Sequence, residues 1–197
     1  MLNKQNLVIA AFAAGHTDGV LVSDNFTAAT DGRILAVVNR PKIEPDEFPS
    51  SPDGAPAYPK QGRFVIRTED TKTLAKAIPP KPALPILENI MPLVPLPGDT
   101  RRFLLGNLCS MQVMTVNPTR EKFPNIKKVW PKGKPKIEIS FSVKLLENLL
   151  ATMKKSSTKT FPIVIFSIYS PEDAVKFRCE LTDEGQKMTG LIMPCKK

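Results

Sequence analysis

Three short stretches, far apart in the chain, decide how the sequence is interpreted: residues 29–37 (ATDGRILAV), 123–131 (FPNIKKVWP) and 190–196 (GLIMPCK). In the first, Asp31-Gly32 separates two apolar runs, which is the strongest short-range signal for a β-hairpin. Taken singly, the apolar residues of such stretches usually fill a core. As a set in this order they predict one apolar site, and methionine makes such a site suitable for variable peptides.

Bulk composition favours a globular protein with a polyanionic partner. The 197 residues suffice for one large domain or two small ones, and 42% of them are hydrophobic. A net charge of +9 favours nucleic acid as a partner through counterion release, although a generic basic surface has the same charge. The three cysteines form no C-x-x-C pattern, so neither a zinc site nor a disulfide framework is indicated. A reducing, cytoplasmic location is expected.

The later chain contains a strand–helix–three-strand pattern twice, at about 64–116 and 137–194. In the second occurrence residues 137–141 alternate as a strand should, and an amphipathic helix runs from Val143 to about Lys155, with Ser142 as its cap. Residues 7–40 are interpreted as strands joined by turns. The apolar run within 7–14 fits a strand followed by a turn, or the core of a signal peptide, and it is too short to span a membrane.

Proline separates these elements at two places. Residues 41–63 hold six of the twenty prolines and few apolar side chains, which predicts an exposed, extended loop. Residues 79–98 combine proline with many apolar side chains. We expect that second segment to lie on a hydrophobic surface or to form part of an interface.

In order and chemistry, the three stretches together resemble the bacterial DNA polymerase sliding clamp, the β subunit of the replicative polymerase. The resemblance implies an α+β sliding-clamp fold, typical of a DNA clamp or processivity factor, built from strand–helix–strand–strand–strand units with two helices packed on antiparallel sheets. Residues 1–131 resemble the middle clamp domain, with proline-rich insertions at 41–63 and 79–98. Residues 132–197 resemble half of the C-terminal clamp domain.

The resemblance also implies an apolar pocket that receives short peptides from DNA polymerases or other clamp clients. Arg33 stands where the family has histidine, Lys128 keeps a charge without the guanidinium fork, and Cys195 is shorter than the family's methionine. The residues assigned to the peptide-binding pocket are Thr30, Gly32, Arg33, Leu35, Pro124, Lys128, Val129, Ala174, Leu191, Ile192, Met193, Pro194 and Cys195.

In clamps the helices line the channel and meet DNA phosphates through basic side chains. Lys72 and Lys76 are four residues apart and share a helix face, so this pair is assigned to duplex DNA binding. Three lysines of the second helix receive the same assignment: Lys144, Lys154 and Lys155. The alternative for both sets is a solvated helix face. Two helix-bearing units are too few to encircle DNA, so a ring would require a homo-oligomer.

Nothing in the sequence indicates catalysis. The single histidine, His16, lies in a glycine-rich turn, and no zinc-protease, phosphate-loop or dinucleotide-binding motif occurs. We therefore expect no enzyme activity, no cofactor, no metal and no membrane partner. Three hypotheses stay open: a clamp-like processivity factor, a monomeric adaptor or decoy that binds clamp clients without encircling DNA, and a basic nucleic-acid-binding protein that has only the fold.

Overall fold

The computed structural model describes residues 1–13, 18–42, 48, 50–58, 62–79, 88–106, 110–120 and 122–195. These residues form two compact units, Met1–Lys128 (unit 1) and Val129–Lys197 (unit 2). Parts of the two proline-rich segments, residues 43–47, 49, 59–61 and 80–87, lie outside the described residues, as does His16. No helix in the described ranges is both long enough and apolar enough to cross a membrane.

Unit 1 contains two consecutive sets, each made of a strand, a helix and three further strands. The first set comprises β1 (Leu2–Asn3), α1 (Lys4–Val8), β2 (Gly19–Val22), β3 (Phe26–Thr30) and β4 (Leu35–Asn39). The second set comprises β5 (Phe64–Arg67), α2 (Thr68–Ala77), β6 (Asn89–Leu93), β7 (Arg101–Gly106) and β8 (Met111–Val116). The pattern predicted at 64–116 is therefore present. The proline-rich segment 79–98 was predicted as an insertion, but part of it forms the buried strand β6.

The first strand of each set pairs with the sheet of the other set. The two antiparallel sheets have the orders β4-β3-β2-β5 and β1-β6-β7-β8. The residue before each helix lies opposite the first residue of the accepting strand, Arg67 opposite Gly19 and Asn3 opposite Asn89. Helices α1 and α2 pack against each other, and one core contains side chains from both sets, including Leu7, Leu74 and Phe103. The two sets thus complete one another.

The apolar run after Leu7 is helical, so the strand predicted there is wrong. Helix α1 continues into a 3₁₀ helix, Ile9–Phe12. A reciprocal cap starts α1: the Asn3 side chain accepts from the Asn6 backbone N–H, and the Asn6 side chain accepts from the Asn3 backbone N–H, both at 3.1 Å. This cap satisfies two backbone donors that a short helix would otherwise leave unpaired.

Gly19 lies where the two sets approach each other closely. A Cβ atom at this position would lie 2.5 Å from the backbone carbonyl oxygen of Ile66, which cannot move without disturbing the β2–β5 pairing. Gly19→Ala is therefore expected to lower the free energy of unfolding by about 1–3 kcal/mol. Gly106→Ala, where nothing lies within 4 Å of the added carbon, is the matched control. Urea unfolding followed by circular dichroism measures both, and equal stability of the two variants would contradict the predicted clash.

The described part of unit 2 contains the helix and the last three strands of one further set, without the first strand. Its elements, after α3 (Ile126–Val129) at the boundary in sequence, are α4 (Val143–Ser156), β9 (Val164–Ser167), β10 (Val175–Glu180) and β11 (Lys187–Ile192). The antiparallel sheet has the order β11-β10-β9. Helix α4 confirms the prediction from Val143, although Ser142 makes no side-chain capping bond. Its apolar face packs on the sheet through Leu146, Leu149 and Met153.

The strand predicted at 137–141 is absent from the described structure. Ile139 and Phe141 nevertheless pack against the core of unit 2, as the alternating pattern required. In unit 1 the first strand of each set pairs with the sheet of the other set. The described part of unit 2 contains a single set, so residues 137–141 have no second sheet to join.

Candidate functional site

The turn between β3 and β4 is held by its own side chains. The Thr30 hydroxyl donates to the Ile34 carbonyl at 2.6 Å and accepts from the Gly32 N–H at 3.0 Å. Asp31 Oδ1 accepts from the N–H groups of Ile34 at 2.7 Å and Arg33 at 2.8 Å, and these bonds lower the pKa of Asp31. Gly32 adopts φ +87°, a conformation that favours glycine. The turn therefore presents the exposed side chains of Arg33 and Ile34 in a defined position.

Leu35 lies on the face of the β4-β3-β2-β5 sheet that points away from the main core. It packs in a cluster built on Leu21, Ala28 and Val65. Phe123 and Ile126, from the second predicted stretch, pack against the same cluster. Unit 1 thus brings two of the three stretches together, with Pro124 and Lys128 exposed beside them.

A groove beside this cluster adds residues that the sequence prediction did not assign. Its lining includes Arg63, Thr119, Phe123 and Asn125. The Thr119 N–H donates to the Val65 carbonyl at 2.9 Å, which fixes the segment after β8 alongside β5. Because this bond joins residues more than fifty positions apart, no local sequence signal predicts the groove.

The third stretch covers the end of β11 and the residues that follow the strand in unit 2. Leu191 and Met193 are 67% and 61% exposed, whereas Ile192 between them is 7% exposed and packs in the core opposite Val175. The Cys195 N–H donates to the Ser140 carbonyl at 2.7 Å and fixes the chain after the strand. Of the predicted apolar contacts here, Leu191 and Met193 present free surface and Ile192 supports them from below.

The remaining predicted pocket residues of unit 2 lie outside β11 and differ in exposure. Ala174 and Pro194 are half-buried, while Val129 and Cys195 are exposed. Thr30, Gly32, Arg33, Leu35, Pro124 and Lys128 belong to unit 1, and the other predicted pocket residues belong to unit 2.

The helices of unit 1 carry a basic surface that extends the predicted one. Lys72 and Lys76 are exposed on α2, and a groove between α1 and α2 is lined by both of them, by Lys4 and by apolar side chains including Leu7 and Val8. The sequence prediction missed Lys4, because residues 4–8 were not predicted as a helix.

On α4 the three assigned lysines, Lys144, Lys154 and Lys155, are all exposed. Over the ranges that the structure describes, no group of three or more histidine, cysteine, aspartate or glutamate side chains is placed to hold a metal ion.

Comparison with solved structures finds the same architecture in bacterial clamps. The "DNA polymerase sliding clamp from Pseudomonas aeruginosa" matches with a TM-score of 0.63 and 15% identity, over 98% of this chain and 50% of that chain. "Caulobacter crescentus pol III beta" matches with a TM-score of 0.63 and 14% identity, over 98% and 49%. A second Pseudomonas aeruginosa structure, "DNA polymerase III subunit beta", gives 0.58 and 14%, over 97% and 48%.

No family model and no curated protein matches the sequence. The chain spans about half the length of the solved clamps that it matches. At these identities the likeness establishes the fold: this chain has the sliding-clamp fold, as the three sequence stretches predicted.

Proposed function

We propose that the chain is a non-enzymatic binding protein of DNA replication or repair, which holds short peptide segments of DNA polymerases or other clamp clients. The observation that carries the proposal is the end of β11. There two large apolar side chains, Leu191 and Met193, are mostly exposed on a strand end anchored by the backbone bond from Cys195 to Ser140. Exposed apolar surface on a rigid element is typical of a peptide-docking site.

For the same function we assign polar contacts to the β3–β4 turn of unit 1 and apolar contacts to the cluster built on Leu21, Ala28 and Val65. Arg33 offers a charge on a turn with little freedom, and Leu35 offers apolar surface next to Phe123. A peptide with apolar residues near an acidic or amide group would match this chemistry. The proposal assigns such contacts to each unit and needs no catalytic group.

Fluorescence anisotropy tests the proposal with a labelled synthetic peptide from the clamp-binding segment of a bacterial replicative polymerase. We expect saturable binding that an unlabelled copy of the peptide reverses. A peptide of the same composition in scrambled order is the control. Equal binding of the two peptides, or no binding at high protein concentration, would contradict the proposal.

Duplex DNA is the second proposed ligand, supported by the basic surface of α1 and α2 together with the net charge of +9. Replacing Lys4, Lys72 and Lys76 with alanine is expected to weaken DNA binding. The slope of log affinity against log salt should fall by about 0.9 for each phosphate that the variant no longer neutralises. Anisotropy of a labelled duplex at several salt concentrations measures both effects.

A variant with alanine at Lys132, Lys134 and Lys136 removes the same charge from exposed positions off the helices and is the matched control. If both triple variants lose affinity equally, net charge alone explains binding and no helix site exists. A monomeric adaptor that binds clamp clients without encircling DNA is the alternative, and it predicts peptide binding without a contribution of the helix lysines to DNA affinity.

A further inference from the structure

Unit 1 shows how a strand that precedes a helix is held on both of its edges. On one edge β5 pairs with β2 of the other set, with Val65 opposite Leu21 and Ile66 opposite Val20. On the other edge the Val65 carbonyl accepts from the Thr119 N–H at 2.9 Å. The side chains of Phe64 and Ile66 point into the core.

Unit 2 repeats one half of this arrangement at equivalent positions. The Ser140 carbonyl accepts from the Cys195 N–H at 2.7 Å. Ser140 lies three residues before α4, as Val65 lies three residues before α2. Cys195 lies three residues after β11, as Thr119 lies three residues after β8.

The inward side chains match as well. Ile139 and Phe141 pack against the core of unit 2, at the positions of Phe64 and Ile66 relative to the following helix. The segment 139–142 therefore has the side-chain pattern and one of the two backbone contacts of β5. The second edge of segment 139–142 corresponds to the edge of β5 that pairs with β2. Within residues 129–195 no strand pairs with this edge.

The complementary edge is also present in unit 2. Among residues 129–195, strand β9 ends the sheet, at the place where β2 and β6 accept the first strand of the other set in unit 1. Large apolar side chains surround this edge: Ile163 is 71% exposed, Ile165 is 44% exposed, and Phe161 is exposed as well. An unpaired apolar edge strand is a template for pairing with another chain.

We propose that two copies of this chain join through unit 2, about a two-fold axis, so that each copy completes the other's domain. The segment 139–142 of each copy pairs antiparallel with β9 of the second copy, and the two α4 helices pack side by side as α1 and α2 do in unit 1. The occupant is a second copy because the free segment and the free edge are present on the same unit, as an isologous contact requires.

Unit 1 fixes the register of this pairing. Leu2, two residues before α1, lies opposite Ile90 of β6. Val116 of β8 lies opposite Arg101, and Ile192 of β11 lies opposite Val175, so these two pairs are equivalent. The registers of the neighbouring strands then make Val164 of β9 the equivalent of Ile90 of β6. Phe141, two residues before α4, therefore lies opposite Val164 of the second copy, and Ser140 lies opposite Ile165.

This register passes an independent check. It places Ile139 opposite Phe166, so that all four core-packing side chains of the two strands fall on the same face. A shift by one residue would turn Ile139 and Phe141 toward solvent. Two copies joined in this way hold three complete domains, one from each unit 1 and one shared between the two copies of unit 2.

Disulfide trapping tests the register directly. Ser140→Cys and Ile165→Cys are combined in the full chain, with Cys109 and Cys195 replaced by serine. Directly opposite residues bring their Cβ atoms within disulfide distance, so oxidation is expected to give a covalent dimer on a non-reducing gel. Ser140→Cys with Thr189→Cys is the matched control, because Thr189 lies in the same row of the sheet on the opposite edge strand.

Light scattering coupled to size exclusion supplies the second measurement. We expect a mass of twice 21.8 kDa for the natural chain and of 21.8 kDa for Ile165→Lys, which places a charge at the paired edge without disturbing the core. Thr189→Lys should remain dimeric. A monomeric natural chain at all concentrations would overturn the proposal. So would a dimer that Ile165→Lys leaves intact and that the 140–165 cysteine pair fails to trap.

Discussion

Replacing Met193 with aspartate is expected to weaken binding of the polymerase-derived peptide by about thirtyfold or more. Met193 is 61% exposed at the end of β11, so its thioether is free to be covered by a ligand. Losing the burial of one methionine side chain removes about 2 kcal/mol, which corresponds to that factor. A carboxylate at this position must also lose water when the peptide covers it, which adds to the loss.

Thr189→Asp is the control for this substitution. Thr189 is exposed in β11, four residues before Met193, which directly follows the strand, and it receives the same new charge. Isothermal calorimetry with the peptide should give nearly natural affinity for Thr189→Asp and greatly reduced affinity for Met193→Asp. Natural affinity in both variants would remove Met193 from the site, and equal losses would point to a general charge effect.

Alternation along β11 explains why the sequence marked the third stretch as one group but did not separate its members. Successive strand residues point to opposite faces, so a run such as Leu191-Ile192-Met193 must divide between core and surface. Which residue goes inward depends on the register with β10, where Ile192 lies opposite Val175. Register is a property of the folded sheet, so the sequence marks the strand and the structure assigns its faces.

Elements with strong local signals were predicted well. Helix α4 has an amphipathic period over fourteen residues, and the β3–β4 hairpin has the Asp-Gly turn. Helix α1 has only five residues, and the apolar run after it also fits a strand. Asn3 and Asn6, three residues apart, are the signal that could have identified it, because this spacing suits a reciprocal cap.

At residues 137–141 a strand was predicted from a clear pattern but is absent from the structure. The alternation is correct, since Ile139 and Phe141 do face the core, yet no strand is formed there. A strand requires a neighbouring strand to accept its backbone hydrogen bonds, and alternation alone cannot supply one. The sequence therefore predicted which side chains are inward, while the pairing depends on whether a second sheet is available.

Asn6→Ala is expected to destabilise unit 1 by about 2–4 kcal/mol, because it removes the buried hydrogen bonds that attach α1 to the first sheet and close its cap. The Asn6 side chain is fully buried and is the point at which α1 is attached to the first sheet. Its Nδ2 donates to the Thr27 hydroxyl at 3.1 Å, and to the carbonyls of Asn39 at 3.0 Å and Val38 at 3.3 Å. Its Oδ1 accepts from the Asn3 N–H and closes the cap.

Gln5→Ala gives the matched comparison, since Gln5 is the preceding residue of the same helix and is exposed. Both substitutions raise helix propensity, so any difference between them reports the buried hydrogen bonds. Urea unfolding should show a lower midpoint for Asn6→Ala and little change for Gln5→Ala. If Asn6→Ala were as stable as the natural chain, α1 would be held by its apolar contacts alone. The basic groove that Lys4 shares with α2 would then not depend on this asparagine.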